Sequence, residues 1–160
     1  MKQFFIALFT FCCSFAHAQQ GYTGVSVSAG FSSNYATFAS LVLQKENVKK
    51  INLGYTLEAI RYAPDASKYD FKSGVTYLSA GVLFSSKLSS NRNFGARIFL
   101  GAMAGTNNSG FIYYPVLGTE QAFNLSPKFS FLLRERAAYI FNLPQLNWQA
   151  GLQIGGRFIF

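Results

Sequence analysis

Six ionisable residues stand at alternate positions of apolar segments, where a folded sheet would turn them inward. They are Glu58, Arg97, Glu120, Arg134, Arg136 and Arg157. Such carboxylates and guanidinium groups could bind a solute, line a conducting pore or form a structural network of ion pairs. The structural network is favoured, because an unpaired buried charge is expensive and a narrow interior is filled by side chains.

The residue types that most often carry catalysis or hold a metal occur only within the first 18 positions. They are Cys12, Cys13 and His17. If that segment is removed, no disulfide, cysteine-rich zinc site, Ser-His-Asp triad or Cys-His pair can form. We therefore expect a protein that is not an enzyme and has no cofactor and no metal, since an enzyme would need an unusual carboxylate site.

The same 18 residues have the features of a secretory signal peptide. Lys2 supplies a positive charge, residues 4–15 are apolar, and Ala16 and Ala18 form a small-x-small cleavage site before Gln19. A transmembrane helix needs roughly 20 apolar residues, more than this run offers. A lipid anchor on one of the cysteines is disfavoured, because the residue before each is not the small one required. We predict cleavage after Ala18 and one mature domain over residues 19–160.

The composition favours a membrane-spanning sheet over a soluble domain. Charged residues make up 12% of the sequence and hydrophobic residues 50%, whereas soluble domains carry about 25% charged residues. After the signal peptide, no apolar run approaches the length of a transmembrane helix. A chain that is apolar, poor in charge and free of helical spans is typical of a transmembrane β-barrel.

The formal net charge is +8, and loss of Lys2 lowers it by one to +7. The basic residues are scattered, and no basic-aromatic cluster organises them. Direct binding of nucleic acid is therefore not expected, and contact with water or lipid headgroups is favoured.

Alternation of apolar and polar residues predicts an all-β fold, an eight-stranded antiparallel up-and-down transmembrane β-barrel. The pattern is clearest in the last segment, where Trp148, Leu152 and Phe158 share one face and Gln149 and Arg157 share the other. The predicted strands cover residues 22–31, 35–45, 51–62, 74–87, 94–106, 116–125, 129–140 and 147–160.

An even number of strands places both chain ends on one side, which we expect to be the periplasm of a cell with an outer membrane. The predicted periplasmic turns are residues 45–50, 88–93 and 126–128. The predicted outer loops are residues 32–34, 63–70, 107–115 and 141–145. The longest connections are therefore predicted on the extracellular side, as is typical of outer-membrane barrels.

Two segments depart from the alternation. Glu135 falls on the lipid face, where a carboxylate is costly, so we expect a bulge or a position above the apolar band. In residues 74–87 the pattern is poor, because Val75 and Leu83 share a face with Tyr77 and Ser79.

Two exposed groups could meet partners. The predicted loop 107–115 carries Phe111, Tyr113 and Tyr114, which could dock a protein or belong to an outer aromatic girdle, the favoured interpretation. The predicted periplasmic rim could meet anionic headgroups, peptidoglycan or a partner subunit, or could simply be solvated. Its basic residues are Lys45, Lys49, Lys50, Lys87, Arg92 and Lys128.

The end of the sequence has the spacing polar-x-Gly-x-x-aromatic-x-aromatic. It is formed by Gln153, Gly155, Phe158 and Phe160. This spacing is similar to the C-terminal insertion signal that the barrel assembly machinery reads, so we expect that machinery as a partner.

Several segments occur in an order similar to one known family. They are residues 24–30, 76–81 (TYLSAG), 93–105 (NFGARIFLGAMAG), 123–129 (FNLSPKF), 131–134 (FLLR) and 151–158 (GLQIGGRF). In them the chain resembles the TraO family of conjugative-transposon outer-membrane proteins from Bacteroidetes. The resemblance implies a non-enzymatic component of a conjugative DNA-transfer apparatus that contacts other conjugation proteins. The alternative is a general envelope barrel, acting as an adhesin, a small-solute channel or a membrane-to-wall tether.

Overall fold

The computed structural model describes residues 21–33, 36–47, 51–62, 75–107, 110–142 and 147–160. The predicted cleavage site at Ala16, Ala18 and Gln19 lies outside the described residues. Within them the strands are β1 (Gly21–Ser32), β2 (Ala36–Asn47), β3 (Ile51–Tyr62), β4 (Val75–Ser90), β5 (Phe94–Thr106), β6 (Phe111–Asn124), β7 (Phe129–Tyr139) and β8 (Trp148–Ile159). No helix in this part of the chain is long and apolar enough to cross a membrane.

Each strand pairs with its neighbours in the sequence, and β1 also pairs with β8, so the sheet closes on itself. The predicted eight-stranded, antiparallel, up-and-down barrel is confirmed. We call the end at which β1 begins and β8 ends the terminal mouth. The opposite end, where β1 leads to β2 and β3 leads to β4, is the loop mouth.

The pleat of each strand turns successive side chains to opposite faces of the barrel wall. In β3, the residues from Asn52 to Tyr62 alternate strictly between buried inside and exposed or half-exposed outside. The outer surface is rich in large apolar side chains, which is unfavourable in water and stable in hydrocarbon. The most exposed of them include Val27, Phe31, Ile51, Leu57, Leu78, Leu100, Leu117, Ile154 and Phe158.

An aromatic belt surrounds part of the outer surface near the loop mouth. The rings of Tyr113 and Phe141 stack with their centroids 4.7 Å apart. Tyr139 meets Phe141 at 4.8 Å and Trp148 at 5.2 Å, in both cases edge to face. Such edge-to-face and offset contacts are the favoured arrangements of aromatic rings.

A second aromatic belt lies near the terminal mouth. The ring centroids of Phe94 and Phe123 are 5.4 Å apart, and those of Phe129 and Phe158 are 4.8 Å apart. The two belts enclose a band of aliphatic side chains between them. This is the arrangement that amphipathic rings adopt at the two interfaces of a membrane.

The structure corrects the predicted loop 107–115, because β6 begins at Phe111. Phe111 and Tyr113 point outward, as expected of girdle residues, whereas Tyr114 is buried inside the barrel. The alternation of polar and apolar residues is lost here because the interior near the loop mouth is itself apolar. The same reason explains the poor pattern of β4, where Tyr77 and Leu83 pack inside the barrel.

The bulge expected at Glu135 is wrong. β7 pairs in unbroken register with both neighbours, and Glu135 lies outside, opposite Thr119 and Leu152. Thr119 Oγ1 donates a hydrogen bond of 3.2 Å to Glu135 Oε2. On its own strand Glu135 stands six residues from Phe129 and four from Tyr139, which belong to the two belts. It therefore lies between the belts and not above the apolar band.

Candidate functional site

The six charged residues singled out in the sequence all lie inside the barrel, and the structure divides them into two groups. Each of them is buried. Glu58 pairs with Arg136 near the loop mouth, and we call this the Glu58 pair. The Glu120 cluster lies nearer the terminal mouth and contains Glu120, Arg97, Arg134 and Arg157.

In the Glu120 cluster, one carboxylate faces three guanidinium groups. Arg134 Nε donates to Glu120 Oε2 at 2.6 Å, and Arg157 Nη2 donates to Oε1 at 2.5 Å. Arg97 Nε lies 3.9 Å from the same Oε1. The strand register produces this arrangement, because Glu120 of β6 is directly opposite Arg97 of β5 and Arg134 of β7. Charge-assisted contacts of this kind are stronger than neutral hydrogen bonds.

Arg134 extends the Glu120 cluster across the interior to the first strand. Its Nη2 donates to Ser26 Oγ at 3.1 Å and its Nη1 to Ser28 Oγ at 3.4 Å. Ser28 Oγ in turn shares a hydrogen bond of 2.8 Å with Ser40 Oγ. The interior is therefore crossed by polar contacts that tie β1, β2, β6 and β7 together.

In the Glu58 pair, both carboxylate oxygens have partners. Arg136 Nη1 donates to Glu58 Oε2, and the Tyr114 hydroxyl donates to Glu58 Oε1 at 2.8 Å. The guanidinium carbon of Arg136 lies 4.7 Å from the centroid of the Phe38 ring, within the range of a cation–π contact. One guanidinium and one carboxylate balance here, so the pair is neutral in total.

Apolar side chains fill the interior around the Glu58 pair and on toward the loop mouth. We call this group the apolar cap. It comprises Ala36, Phe38, Ile60, Tyr62, Tyr77, Phe99, Met103, Ile112, Tyr114, Val116, Ala138 and Ile140, with Val75 and Leu83 packed against it. Most of these residues come from the strand halves nearest the loop mouth, which closes that half of the interior.

The free space in the interior increases toward the terminal mouth. A cavity of about 30 Å³ lies between the two charged groups, with Gln44, Ser85 and Gln153 in its lining. A cavity needs about 10–15 Å³ to hold one water, so this space suits waters rather than a solute. Below the Glu120 cluster, a cavity of about 120 Å³ opens toward the terminal mouth.

Three of the predicted insertion-signal residues lie on β8, where they are distributed over both faces, and Phe160 follows the strand. Gln153 is buried inside, where its Nε2 donates to Ser40 Oγ at 3.4 Å, and Gly155 is half-buried. Phe158 and Phe160 are exposed on the outer surface. The Phe160 backbone N–H donates to the Thr23 carbonyl at 2.9 Å, which extends the contact with the first strand.

The predicted basic rim is only partly within the described residues. Lys87, Arg92 and Lys128 are exposed around the terminal mouth, and Lys45 is half-exposed on the outer wall. Lys49 and Lys50 lie outside the described residues. Lys87 lines the cavity at the mouth, whereas Lys128 belongs to the turn between β6 and β7.

Sequence reasoning missed Tyr114 as a member of the interior. It was assigned to a loop, although Ile112, Tyr114 and Val116 already stand at alternate positions and are buried together. The described residues contain no group of three or more His, Cys, Asp or Glu side chains that could hold a metal.

Comparison with known proteins identifies the fold. No family model and no curated protein matches the sequence. The N-terminal β-barrel domain of Pseudomonas aeruginosa OprF matches 88% of this chain and 98% of its own, with a TM-score of 0.65 and 9% identity. A major outer membrane protein from Thermus thermophilus matches 89% of this chain and 100% of its own, with a TM-score of 0.59 and 13% identity.

A designed protein has the same architecture. A de novo transmembrane β-barrel matches 88% of this chain and 96% of its own, with a TM-score of 0.60 and 16% identity. Identities at this level show the fold alone. Because a designed chain shares it, the common features belong to the barrel and not to one biological role.

Proposed function

We propose that this chain is a non-enzymatic β-barrel of the outer membrane, with its two aromatic belts at the lipid–water interfaces. The observation that carries the proposal is a closed sheet whose outer surface is apolar between the belts. Closure leaves no strand edge with unpaired backbone groups, which is the condition for a sheet to cross hydrocarbon. Outer-membrane and designed transmembrane barrels of the same fold support it.

Cell fractionation tests this location. We expect the protein in the outer-membrane fraction, with a gel mobility that changes on heating because the barrel resists unfolding by detergent. Phe160→Asp should impair assembly, since it places a charge in the predicted insertion signal. Leu125→Asp is the matched control, because Leu125 is 70% exposed in a turn at the same mouth. Recovery as a soluble periplasmic protein would refute the proposal.

The same proposal places both chain ends in the periplasm. The predicted outer loop of residues 63–70 would then face the outside, and the turn after β6 would face the periplasm. We expect Ala66→Cys to react with a membrane-impermeant maleimide on intact cells and Ser126→Cys to react only after the outer membrane is opened. The reverse pattern of labelling would invert the assignment.

A filled interior favours a structural role over a channel. The apolar cap occupies the half near the loop mouth, and the space between the two charged groups is only about 30 Å³. We expect the purified barrel to show no steady conductance in planar lipid bilayers. A reproducible single-channel conductance would instead support the small-solute channel.

The finer proposal is that the barrel is a component of a conjugative DNA-transfer apparatus, with other conjugation proteins as partners. It is supported by the resemblance to the TraO family over segments such as 93–105 and 151–158. Deleting the gene from its mobile element should lower the transfer frequency, and a plasmid copy should restore it. An unchanged transfer frequency would reject this role and leave the general envelope barrel.

A further inference from the structure

The outer face of β6 and β7 carries three polar side chains between the aromatic belts. Thr119 and Glu135 are directly opposite each other, and Gln121 follows two residues after Thr119 on the same face of β6. We call these three residues the Glu135 patch. On the opposite wall, by contrast, the middle of β2 and β3 exposes Leu41 and Leu57. A polar side chain that faces hydrocarbon is unfavourable and points to a partner in the membrane.

Hydrogen bonding within the Glu135 patch leaves one acceptor and one donor unused. Thr119 Oγ1 donates to Glu135 Oε2 at 3.2 Å. Among the described residues no other side chain donates to Glu135, so its Oε1 is a free acceptor. Gln121 is half-exposed, and its amide makes no hydrogen bond to another described side chain. Hydrocarbon offers neither donors nor acceptors, so both groups would gain from a surface that brings the complement.

Small side chains beside the Glu135 patch leave room for such a surface. Ala137 stands two residues after Glu135 on the same face of β7, directly opposite Ala150 of β8. Toward the terminal mouth, the exposed rings of Phe123 and Phe131 border the patch. Small residues allow two membrane-embedded elements to approach closely. The wall is therefore lowest next to its unpaired polar groups.

A second copy of this chain brings the missing groups at the right depth. A two-fold rotation about an axis along the membrane normal leaves the depth of every residue unchanged. When the axis passes between β6 and β7, it sets β6 of one copy against β7 of the other. Gln121 of each copy then lies on the strand that faces Glu135 of the other, and the same contact is made twice. Because the amide is neutral, no further charge enters the hydrocarbon.

We propose that the Glu135 patch is the interface of a two-fold dimer of this chain within the membrane. In this dimer Gln121 Nε2 of each copy donates to Glu135 Oε1 of the other. Lipid gives no hydrophobic driving force between apolar walls, so polar contacts and close packing select the faces that meet. An isologous interface is closed, so assembly stops at two copies. The inference rests on the proposed location in the membrane, which cell fractionation tests separately.

Energy transfer between donor-labelled and acceptor-labelled barrels in phosphatidylcholine vesicles tests the dimer. The dyes are attached at Ser126→Cys, in the exposed turn between β6 and β7. Diluting the protein in lipid then gives the dissociation constant. Glu135→Leu should raise this constant about tenfold, because it removes two symmetric hydrogen bonds. Leu57→Ala on the opposite wall is the matched control and should leave it unchanged.

Exchanging the two roles makes the test specific to this contact. Gln121→Glu alone should weaken the dimer more than Glu135→Leu does, because carboxylates then face each other across the interface. The double variant Gln121→Glu/Glu135→Gln again pairs one carboxylate with one amide. Its dissociation constant should return to within about threefold of the original value, as expected for two directly coupled positions. A double variant as weak as Gln121→Glu alone would reject the contact.

Disulfide formation locates the interface independently. Under mild oxidation Ala137→Cys should form a covalent dimer, whereas Ala59→Cys, equally half-exposed on the opposite wall, should not. Equal cross-linking of both variants would overturn the proposed face. Folded barrels that stay monomeric at the highest protein-to-lipid ratio would reject the dimer and leave the proposed location intact. Failure of the chain to insert into vesicles would reject both.

Discussion

The two halves of the barrel interior differ in how their buried carboxylates are paired with guanidinium groups. Near the loop mouth, the Glu58 pair has one guanidinium for one carboxylate and is enclosed by the apolar cap. Near the terminal mouth, Glu120 faces three guanidinium groups beside a cavity that opens outward. The comparison teaches that, among the described residues, a carboxylate has one guanidinium partner where apolar side chains surround it and is shared by several guanidinium groups where a cavity opens at the mouth.

Removal of the Glu120 carboxylate should have the largest effect on the free energy of unfolding. Glu120→Gln leaves three guanidinium groups in the interior without their common acceptor, and should lower the free energy of unfolding by about 3–5 kcal/mol. Glu58→Gln is the matched variant and should cost less, since it affects one guanidinium that also contacts the Phe38 ring. Urea unfolding in lipid vesicles, followed by the fluorescence of Trp148, measures both. Equal losses would remove the distinction between the two halves.

Adding a methyl group at a glycine should destabilise the half of the interior filled by the apolar cap more than the half that opens at the terminal mouth. A Cβ on Gly101 would meet the Leu83 side chain and would lie 2.5 Å from the Val82 carbonyl oxygen. A Cβ on Gly95, near the terminal mouth, would find its nearest atom at 3.9 Å. Overpacking costs about 1–3 kcal/mol, so Gly101→Ala should lower the unfolding free energy by that amount. Gly95→Ala should leave it nearly unchanged, and a comparable loss there would contradict the open space at the terminal mouth.

Removing the hydrogen bond from Tyr114 to Glu58 tests how much this bond stabilises the Glu58 pair. Tyr114→Phe should lower the unfolding free energy by about 1.5 kcal/mol, because the lost bond has a charged acceptor. Tyr113→Phe, one residue earlier on the outer surface, is the control and should be nearly neutral. In a Glu58→Gln background the effect of Tyr114→Phe should shrink. If it does not, the hydroxyl stabilises the barrel through another group.

The Glu135 carboxylate on the outer surface can be compared with the buried carboxylates of the interior. Glu135 lies between the belts and accepts a hydrogen bond from Thr119. Because a carboxylate facing lipid is unfavourable, Glu135→Leu should raise the unfolding free energy by about 1 kcal/mol in lipid vesicles. Glu135→Gln should give a smaller gain. A loss of stability in both variants would show that the carboxylate is needed where it stands.

The sequence predicts the barrel well wherever the interior is polar. In β8, Gln149, Gln153 and Arg157 alternate with outward apolar residues, so the strand and the inward or outward direction of its side chains could both be assigned. The start of β6 was missed because Ile112 and Tyr114 point into the apolar cap, and both faces of the strand are therefore apolar there. Period-two alternation identifies a strand only when its two faces differ in polarity.

The grouping of the interior charges could not be predicted from the sequence. Glu58 and Arg136 stand on β3 and β7, which meet across the interior only after the barrel has closed. Arg157 reaches Glu120 from β8, two strands away from β6. Alternation says which face a residue takes, whereas such contacts depend on strand tilt and stagger.

The pairing of β1 with β8 has a consequence for how the molecule is made. It joins Gly24 to Ile159 and Ser32 to Gly151, residues from opposite ends of the chain. Contacts so distant in the sequence form slowly, because the entropy of closing a long loop is lost before the pairing gains energy. Until then both strands carry open edges that can pair with other chains. Ring closure must therefore follow synthesis of the last strand, and an assembly catalyst that shields these two edges would act at the step where aggregation competes with folding.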